Sequence, residues 1–522
     1  MDTEDIKSDL LKYVSNENVL IRKNLFNSTV LDIYAKSIIE KQDVLFFIAK
    51  DGLNKNLYLI YDVERDSRLT QAFTGEEFKV NGSLYTIIKK CELSTQNRKA
   101  IQQYFEFTQP KLLGLVNSFG FGDRIGLANA AHIRSLAKSE FKAILAQQSI
   151  RELTRTNRTP AEVMDAAVWA VFQEGYKYGF GADADHLKTT DDIDLMVESG
   201  FKMFTFDPGE FVHNEADKIE TQLLNKAIKK INWAGLNIEQ KILVDKYANK
   251  KFNISKDLQI EADETQVKRA VLKYGDALAH IKKMYDHLKT KYSSYESEVE
   301  VSVDETESVT SPFEHYFIVN ELVRLDVKLI SLAPRFVGSF EKGIDYKGDL
   351  NLFRSEYLKH IQIVKHFGFY KISLHSGSDK FSVYKIIGEI DNSITHIKTA
   401  GTSYLEALKV AAIKQPELFR EILDYSLSLY ETEKKSYHVS ADISKLKSAI
   451  EYSSDELVQL FNNNDCRQVL HVTFGRILTD KNKQGEFVFK QKLLNCLKQY
   501  EDVHYEILIN HFNKHLEPFK RV

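Results

Sequence analysis

Residues 356–413 read EYLKHIQIVKHFGFYKISLHSGSDKFSVYKIIGEIDNSITHIKTAGTSYLEALKVAAI, and their apolar periodicity changes several times. Helical spacing over Glu356–His366 gives way to a short apolar strand over Lys371–His375. A second strand follows over Ile394–Thr399, and helical spacing returns over Tyr404–Ile413. Strands that alternate with helices indicate βαβ units, so this stretch predicts a parallel sheet.

The same alternation extends back to about residue 111 and predicts eight parallel strands in all. Eight such strands with intervening helices predict an α/β fold, a closed (β/α)8 TIM-like barrel. The active sites of such barrels lie at the carboxyl ends of the strands, so polar residues are expected there on several strands. The six further predicted strands are Leu113–Ser118, Ala143–Gln148, Gly179–Asp185, Met203–Asp207, Glu298–Asp304 and Leu329–Ala333.

The chain is too long for one average domain, and regions of different composition flank the predicted barrel. We expect a small N-terminal α+β domain over 1–108 and the catalytic barrel over 109–413. Some ninety residues separate the fourth and fifth strands, which predicts a helical insertion at about 209–297. A helical C-terminal extension is expected over 414–522.

The composition describes a chain of 522 residues that is 43% hydrophobic, with a net charge of −3. Nearly balanced charge argues against a nucleic-acid partner, and no apolar run is long enough to span a bilayer. Three widely spaced cysteines and an acidic amino terminus without an apolar signal core favour a reducing, cytoplasmic location. We therefore expect a soluble protein with a small-molecule substrate, and the composition is compatible with a homo-oligomer.

Three histidines fall at the predicted ends of barrel strands: His186, His375 and His396. Three imidazoles with open positions suit a catalytic divalent cation, and Zn, Mn, Fe, Co and Ni are not distinguished by these ligands. The alternative is that each histidine is an ordinary hydrogen-bonded residue. His438 is a reserve ligand, because the C-terminal region could return it to the barrel mouth.

Acidic side chains at the strand ends are candidates for proton transfer. Asp185 precedes His186 and is predicted to act as a general base, or else to orient that histidine. On the fifth strand, Glu300 and Asp304 are candidate proton donors, with capping or ion pairing as the alternative.

Other polar residues at the strand ends are candidates for substrate binding. Arg335 and Lys398 would suit an anionic substrate, unless they only neutralise nearby acids. Ser376, which directly follows His375, completes the predicted substrate-binding residues.

Several long and unusual strings in this chain resemble the bacterial tagaturonate/fructuronate epimerase family, from about residue 110 to the C-terminus. The resemblance implies interconversion of D-fructuronate and D-tagaturonate with a divalent metal. It implies that His186 and His375 are ligands with His396 as the third, and that Asp185 and a fifth-strand acid transfer protons. The strings are SFGFGDRIG (118–126), AQQSIRE (146–152), FQEGYKYGFGADADH (172–186), VSVDETES (301–308), EKGIDYKGDL (341–350), YKISLHSGSDKFSVY (370–384) and HIKTAGTSYLEALKV (396–410).

The implied reaction inverts carbon 3, counted from the carboxylate carbon, whose hydroxyl is beta to the ketone. Its hydrogen is alpha to neither carbonyl group, so simple deprotonation is difficult. A retro-aldol route, in which the bond between carbons 3 and 4 breaks and re-forms, needs a Lewis acid, a base, an acid and an anion anchor. A metal-dependent sugar isomerase or aldolase is the alternative enzyme, and a non-catalytic sugar-acid-binding protein the alternative from another class.

Overall fold

The computed structural model of the chain describes residues 3–14, 20–65, 68–390 and 394–520. Along the chain these residues form an antiparallel sheet, a closed parallel barrel with its helices, and a group of C-terminal helices. None of the helices among them is both long and apolar enough to cross a membrane. The predicted domain boundaries stay predictions, and residues 1, 2, 521 and 522 at their outer limits lie outside the described part.

The N-terminal region is a seven-stranded antiparallel sheet in the order β1-β2-β4-β5-β7-β6, with β3 paired to β4. At its centre, the buried strands β4 and β5 form a hairpin whose turn contains Gly52 at a φ of +61°, a conformation that favours glycine. The strands are β1 Leu20–Phe26, β2 Thr29–Tyr34, β3 Ile39–Lys41, β4 Val44–Asp51, β5 Asn54–Asp62, β6 Glu76–Lys79 and β7 Thr86–Glu92, and the helices are α1 Thr3–Leu11, α2 Arg68–Gln71 and α3 Thr95–Tyr104.

Eight parallel strands close into a barrel in the order β10-β11-β14-β15-β16-β17-β8-β9, which confirms the predicted fold class. The pairing of β9 with β10 closes this series, and β8 pairs with β17, so the first barrel strand in the chain lies beside the last. The strands are β8 Ser118–Phe121, β9 Lys142–Ser149, β10 Phe180–Leu187, β11 Met203–Phe206, β12 Lys250–Asn253, β13 Gln259–Ala262, β14 Glu298–Ser302, β15 Ser331–Ala333, β16 Lys371–Leu374 and β17 Thr395–Thr399, of which β12 and β13 form a separate hairpin.

The first barrel strand lies later in the chain than the prediction of Leu113–Ser118. Residues 111–117 instead cross the amino-terminal end of the barrel, where the backbone amides of Leu113 and Gly114 donate to the Glu298 carboxylate at 3.2 and 3.0 Å. Lys371 is the first residue of β16, and its ammonium group donates to the Gly114 carbonyl at 3.0 Å. An apolar run suits a covering segment as well as a buried strand, which explains the displaced prediction.

The barrel helices and the insertion follow the predicted periodicity, with one addition. The insertion between β11 and β14 contains four α-helices and the β12–β13 hairpin. The strands of this hairpin are too short to be recognised beside the helical pattern. The longest helix of the insertion begins with a capping box between Asp263 and Gln266, which satisfies backbone donors of the first turn. These helices are α4 Asn129–Ser135, α5 Ile150–Thr156, α6 Pro160–Gln173, α7 Thr190–Glu198, α8 Thr221–Ala227, α9 Trp233–Leu236, α10 Gln240–Tyr247, α11 Glu264–Lys291, α12 Pro312–Arg324, α13 Leu350–Phe367, α14 Phe381–Gly388 and α15 Thr402–Lys414.

The C-terminal region is helical and packs against α15, the last barrel helix, through a shared apolar core. Its final helix also contacts the outside of the barrel, where Phe512 lies edge-on to Phe119 and Phe121 of β8. The helices of this region are α16 Pro416–Glu433, α17 Ser454–Gln459, α18 Asn464–Val472, α19 Phe474–Thr479, α20 Lys490–Gln499 and α21 Glu501–Leu516.

Candidate active site

A buried ammonium group lies at the centre of the carboxyl-terminal half of the barrel. Lys398 of β17 places its Nζ 2.7 Å from carboxylate oxygens of Asp183, Asp185 and Glu300, and 2.7 Å from the Thr205 hydroxyl. Burial would lower the pKa of Lys398, but the three carboxylates outweigh it and raise that pKa well above its usual value. Side chains of four strands, β10, β11, β14 and β17, thus meet at this ammonium group, as expected for inward-facing side chains of a closed barrel.

His375 directly follows β16 and lies between two acids of the fifth strand segment. Its Nε2 is 2.7 Å from Glu300 Oε1, and its Nδ1 is 3.2 Å from Asp304 Oδ1. Burial alone would lower the pKa of His375, but the charges of Asp304 and Glu300 raise it to about 9. Glu300 has no exposed surface, because Lys398 and the Ser331 hydroxyl contact the same carboxylate.

His186 and Asp185 both face the barrel mouth although they are neighbours in β10. Adjacent residues of a regular strand point to opposite faces, but His186 has a φ of +50° and the register with β11 shifts there. His186 Nδ1 lies 3.3 Å from Asp207 Oδ2, and its Nε2 lies 3.8 Å from Asp185 Oδ1. Burial would lower the pKa of His186, but these two carboxylates raise it to about 10.

One nitrogen or oxygen from each of His186, His375 and Asp304 lies within 4.8 Å of the others, an arrangement that could hold a metal ion. Each imidazole presents its other ring nitrogen to a carboxylate, Glu300 for His375 and Asp207 for His186. Metal-binding histidines usually have such a carboxylate or carbonyl partner, which fixes the ring orientation. The donor set and the excess of carboxylates therefore fit a divalent cation, and we call these three residues the cation group.

The structure does not bring His396, the third predicted ligand, to the cation group. His396 lies on the same face of β17 as Lys398 but two residues earlier, so it is deeper in the barrel. Its Nδ1 is 3.0 Å from the Ser118 hydroxyl, and burial lowers its pKa to about 3. Asp304, predicted as a proton donor, occupies the third position of the group instead. The reserve ligand His438 lies elsewhere, with its Nε2 2.8 Å from the Ser339 hydroxyl.

The sequence reasoning missed several cations of the pocket beside the cation group, among them Lys342 and Arg151. Lys342 and Arg151 line the pocket together with Asp185, Lys398 and Ser376. Lys342 Nζ is 2.7 Å from the Ser376 hydroxyl, and burial lowers the pKa of this lysine. The only available signal was indirect, because both residues lie in strings that carried the family resemblance.

Arg335, predicted as an anion anchor, does not line this pocket in the part of the chain that the structure describes. Its backbone amide donates to the Thr310 hydroxyl at 3.0 Å, and its guanidinium is 3.4 Å from the Asp304 carbonyl oxygen. The C-terminal region instead contributes Tyr437 and His471 to the pocket wall. The predicted substrate-binding role of Arg335 has no geometric support, whereas Ser376 lies in the pocket.

A second group with metal-like composition, Asp379, His511 and His515, lies behind the seventh strand. Asp379 already pairs with the Arg467 guanidinium at 2.6 Å and with His511 Nε2 at 2.6 Å. His515 Nε2 accepts the backbone N–H of Asp379 at 3.1 Å, so its lone pair is engaged. A nearby guanidinium and an occupied lone pair disfavour a metal ion, and we interpret this group as a structural link between the barrel and α21.

Asp379→Asn is expected to destabilise the protein by about 3–5 kcal/mol, because Arg467 stays buried without its carboxylate partner. Metal content per folded molecule should not change, since the substitution leaves the cation group intact. Urea unfolding and elemental analysis of the folded protein measure the two effects. Loss of bound metal at unchanged stability would show that this second group is a metal site.

Comparison with known proteins shows the family of the chain. A family model described as UxaE, tagaturonate epimerase, matches residues 34–519. The chain is 41% identical over 487 residues, 93% of this chain and 96% of the relative, to a tagaturonate/fructuronate epimerase of Thermotoga maritima.

Solved structures of the fructuronate-tagaturonate epimerase UxaE from Cohnella laeviribosi agree with this. The native form is 34% identical, with a TM-score of 0.86, and a form complexed with one glycerol is 35% identical, with a TM-score of 0.87. Each match covers 94% of this chain and 96% of the solved chain, so it includes the barrel and both flanking regions. The chain therefore belongs to the tagaturonate/fructuronate epimerase family and is an isomerase.

Proposed function

We propose that this protein interconverts D-fructuronate and D-tagaturonate by breaking and re-forming the bond between carbons 3 and 4, in the pocket at the carboxyl ends of the barrel strands. The observation that carries the proposal is the position of the cation group beside Asp185 and two pocket cations. A Lewis-acid site, a base that serves as the acid once it is protonated, and an anion anchor thus line one cavity, and these are the groups that the reaction needs. We further propose that the enzyme acts in the cytoplasm, where its three free, buried cysteines stay reduced.

The cation group would hold a divalent metal through His186, His375 and Asp304. When bound, the metal supplies Lewis-acid stabilisation for the negative charge that develops on the ketone oxygen. Two imidazoles and one carboxylate suit Zn, Mn, Fe, Co and Ni, and do not select among them. Glu300 and Asp207 hold the two imidazole rings in place.

Asp185 is the candidate base, because it lines the pocket and is ionised beside Lys398. It takes the proton of the carbon 3 hydroxyl, and the electron pair of the broken bond moves onto the former ketone to give an enediolate. The aldehyde fragment turns over, the enediolate attacks its other face, and protonated Asp185 returns a proton to the new alkoxide. Glu300 is enclosed by His375 and Lys398, so we assign it to positioning those two side chains and not to proton transfer.

Lys342, supported by Ser376 and Arg151, is the candidate anchor for the substrate carboxylate. Among the described residues Lys342 forms no ion pair within 4 Å, so its charge is available to an anionic ligand. Lys398, one of the two cations predicted for this role, is already surrounded by three carboxylates. A hydrogen-bonded charge contributes about 1.5–3 kcal/mol, which corresponds to roughly 10- to 150-fold in affinity.

Lys342→Met is accordingly expected to lower kcat/KM roughly 10- to 150-fold, mainly through a higher KM, because the anchor binds the ground state and the transition state alike. Steady-state kinetics on D-fructuronate measures this. Lys385→Met is the matched control, since Lys385 is an exposed lysine on α14 outside the pocket. An unchanged KM in Lys342→Met would remove this residue from the substrate site.

The activity itself is tested by incubating metal-replete protein with D-fructuronate and following D-tagaturonate by NMR. The reaction should stop after chelation and resume after one equivalent of a divalent metal is restored. An aldolase would release and accumulate three-carbon products, and a sugar isomerase would convert the uronate to an aldose. Failure of the metal-replete protein to interconvert the two ketouronates would refute the proposal.

A further inference from the structure

A second cavity of about 470 Å³ lies outside the barrel, where the β4–β5 hairpin, α6, α20 and α21 meet. This volume falls within the range of roughly 300–1,000 Å³ that small-molecule sites occupy, and junctions between parts of a fold are common positions for them. None of the three residues of the cation group lines this cavity. The cavity is therefore distinct from the pocket in which the proposed reaction takes place.

The acidic side chains in the wall of this cavity are already engaged. Asp165 accepts a hydrogen bond from Arg98 at 2.8 Å, and Glu501 is paired with Lys55. Glu162 accepts the backbone N–H of Thr159 at 2.6 Å and caps its own helix. The negative charge of the wall is thus neutralised or held in place by the protein itself.

Several basic side chains of the wall, in contrast, have no carboxylate oxygen within 4 Å among the residues that the structure describes. Arg158 donates to two backbone carbonyl groups and to the side-chain amide of Gln148. Lys490 forms no ion pair within 4 Å among the described residues. Burial lowers its pKa, opposed by the charge of Glu162 and reinforced by that of Arg158. The Lys498 ammonium donates to the side-chain oxygen of Asn54 at 3.2 Å and has no ion pair in the described part of the chain. The wall therefore carries positive charge that an anion would complement.

The wall is also short of hydrogen-bond acceptors. Trp169 Nε1, Arg124 Nη1 and His504 Nε2 are buried and have no hydrogen-bond partner in the part of the chain that the structure describes. All three residues line the cavity, and the first two of these atoms can only donate. Buried donors without a partner are rare and costly. Protein atoms cover these three nitrogens, so a ligand's acceptor oxygens would relieve the deficit only when the side chains shift toward the cavity.

Arg124 connects this cavity to the active pocket, because it lines both. Its Nε donates to Glu152 Oε1 at 2.7 Å, and its Nη2 lies 3.5 Å from His471 Nε2. Glu152 and His471 are themselves in the wall of the active pocket. Its guanidinium stacks 3.7 Å above the ring of Phe474, so this side chain forms a partition between the two spaces.

We propose that the second cavity is a regulatory site for a metabolite-sized organic anion that carries a phosphate or carboxylate group. The anion binds between Arg158 and Lys490, with its apolar part against the Trp169 side of the wall. Its oxygen atoms draw the Arg124 guanidinium toward the cavity, which changes the positions of Glu152 and His471 in the active pocket. Binding at one site thereby alters the affinity of the other for substrate.

Tryptophan fluorescence can report on this cavity alone. The chain has two tryptophans, so Trp233→Phe leaves Trp169 as the single reporter. The metal-loaded variant is titrated with inorganic phosphate, glucose 6-phosphate and gluconate, with glucose as the neutral control. We expect a saturable change with at least one anion, none with glucose, and a change in the KM for fructuronate of about 5-fold or more at saturation.

Two further substitutions in this background locate the response. Lys490→Met should abolish it, and the fold should be retained because this ammonium holds no ion pair with any residue that the structure describes. Lys342→Met, in the active pocket, should leave it intact. A response to phosphate alone shows that the oxyanion suffices, whereas a response to glucose 6-phosphate or gluconate alone shows that the organic part is required. The proposal is overturned if none of the three anions changes the Trp169 fluorescence, or if the change persists in Lys490→Met.

Discussion

His375→Ala is expected to lose the bound cation and to lower kcat/KM for epimerisation by on the order of 10³-fold or more. The imidazole supplies one of the three donors of the cation group, and Glu300, which orients it, would face an empty space. A Lewis acid contributes several kcal/mol to stabilisation of charge in the transition state, and each 1.4 kcal/mol corresponds to tenfold in rate.

Elemental analysis and steady-state kinetics of the purified variant test this expectation. His438→Ala is the matched control, because the only described hydrogen bond of that exposed histidine is to Ser339, away from the cation group. Thermal unfolding separates loss of metal from loss of fold. Full metal content together with near-normal activity in His375→Ala would exclude the proposed cation group.

Asp185→Asn is expected to lower kcat by roughly 10²- to 10⁴-fold while metal content is retained. The amide cannot accept the proton of the carbon 3 hydroxyl, and general base catalysis typically contributes this factor. The effect should fall on kcat more than on KM, because the lost interaction is made as the proton moves.

Asp183→Asn distinguishes catalysis from simple charge balance. Asp183 and Asp185 both lie 2.7 Å from Lys398 Nζ, but only Asp185 lines the pocket. If Asp185 acts as the base, Asp183→Asn should retain far more activity than Asp185→Asn. Equal losses of kcat in the two variants would mean that neutralising Lys398 is the shared role of both carboxylates.

The barrel could be predicted from the sequence because its strands are short, apolar and separated by helices of regular periodicity. Seven of the eight predicted strands overlap the observed ones extensively, and only the first, Leu113–Ser118, is displaced. That segment is apolar because it covers the end of the barrel, and periodicity does not separate a covering segment from a strand. The β12–β13 hairpin was missed because each strand has only four residues.

The site could be predicted only in part, because strand ends are visible in a sequence and depth in the barrel is not. His186 and His375 were selected by position and lie together in the structure. His396 was also selected because it is near a strand end. It lies on the same face of β17 as Lys398 but two residues earlier, so its side chain is deeper in the barrel, beside Ser118. Lys342 lies in a loop without periodicity, so no local pattern indicates that it enters the pocket.

The central claim is that carbon 3 is inverted by cleavage of its bond to carbon 4 and not by removal of its hydrogen. The most direct measurement uses D-fructuronate with deuterium on carbon 3, converted by the metal-loaded enzyme and compared with unlabelled substrate. Our account predicts that the D-tagaturonate formed retains all of the deuterium and that the rate falls by no more than a secondary isotope effect. Loss of deuterium to solvent, or a primary isotope effect on kcat/KM, would contradict it.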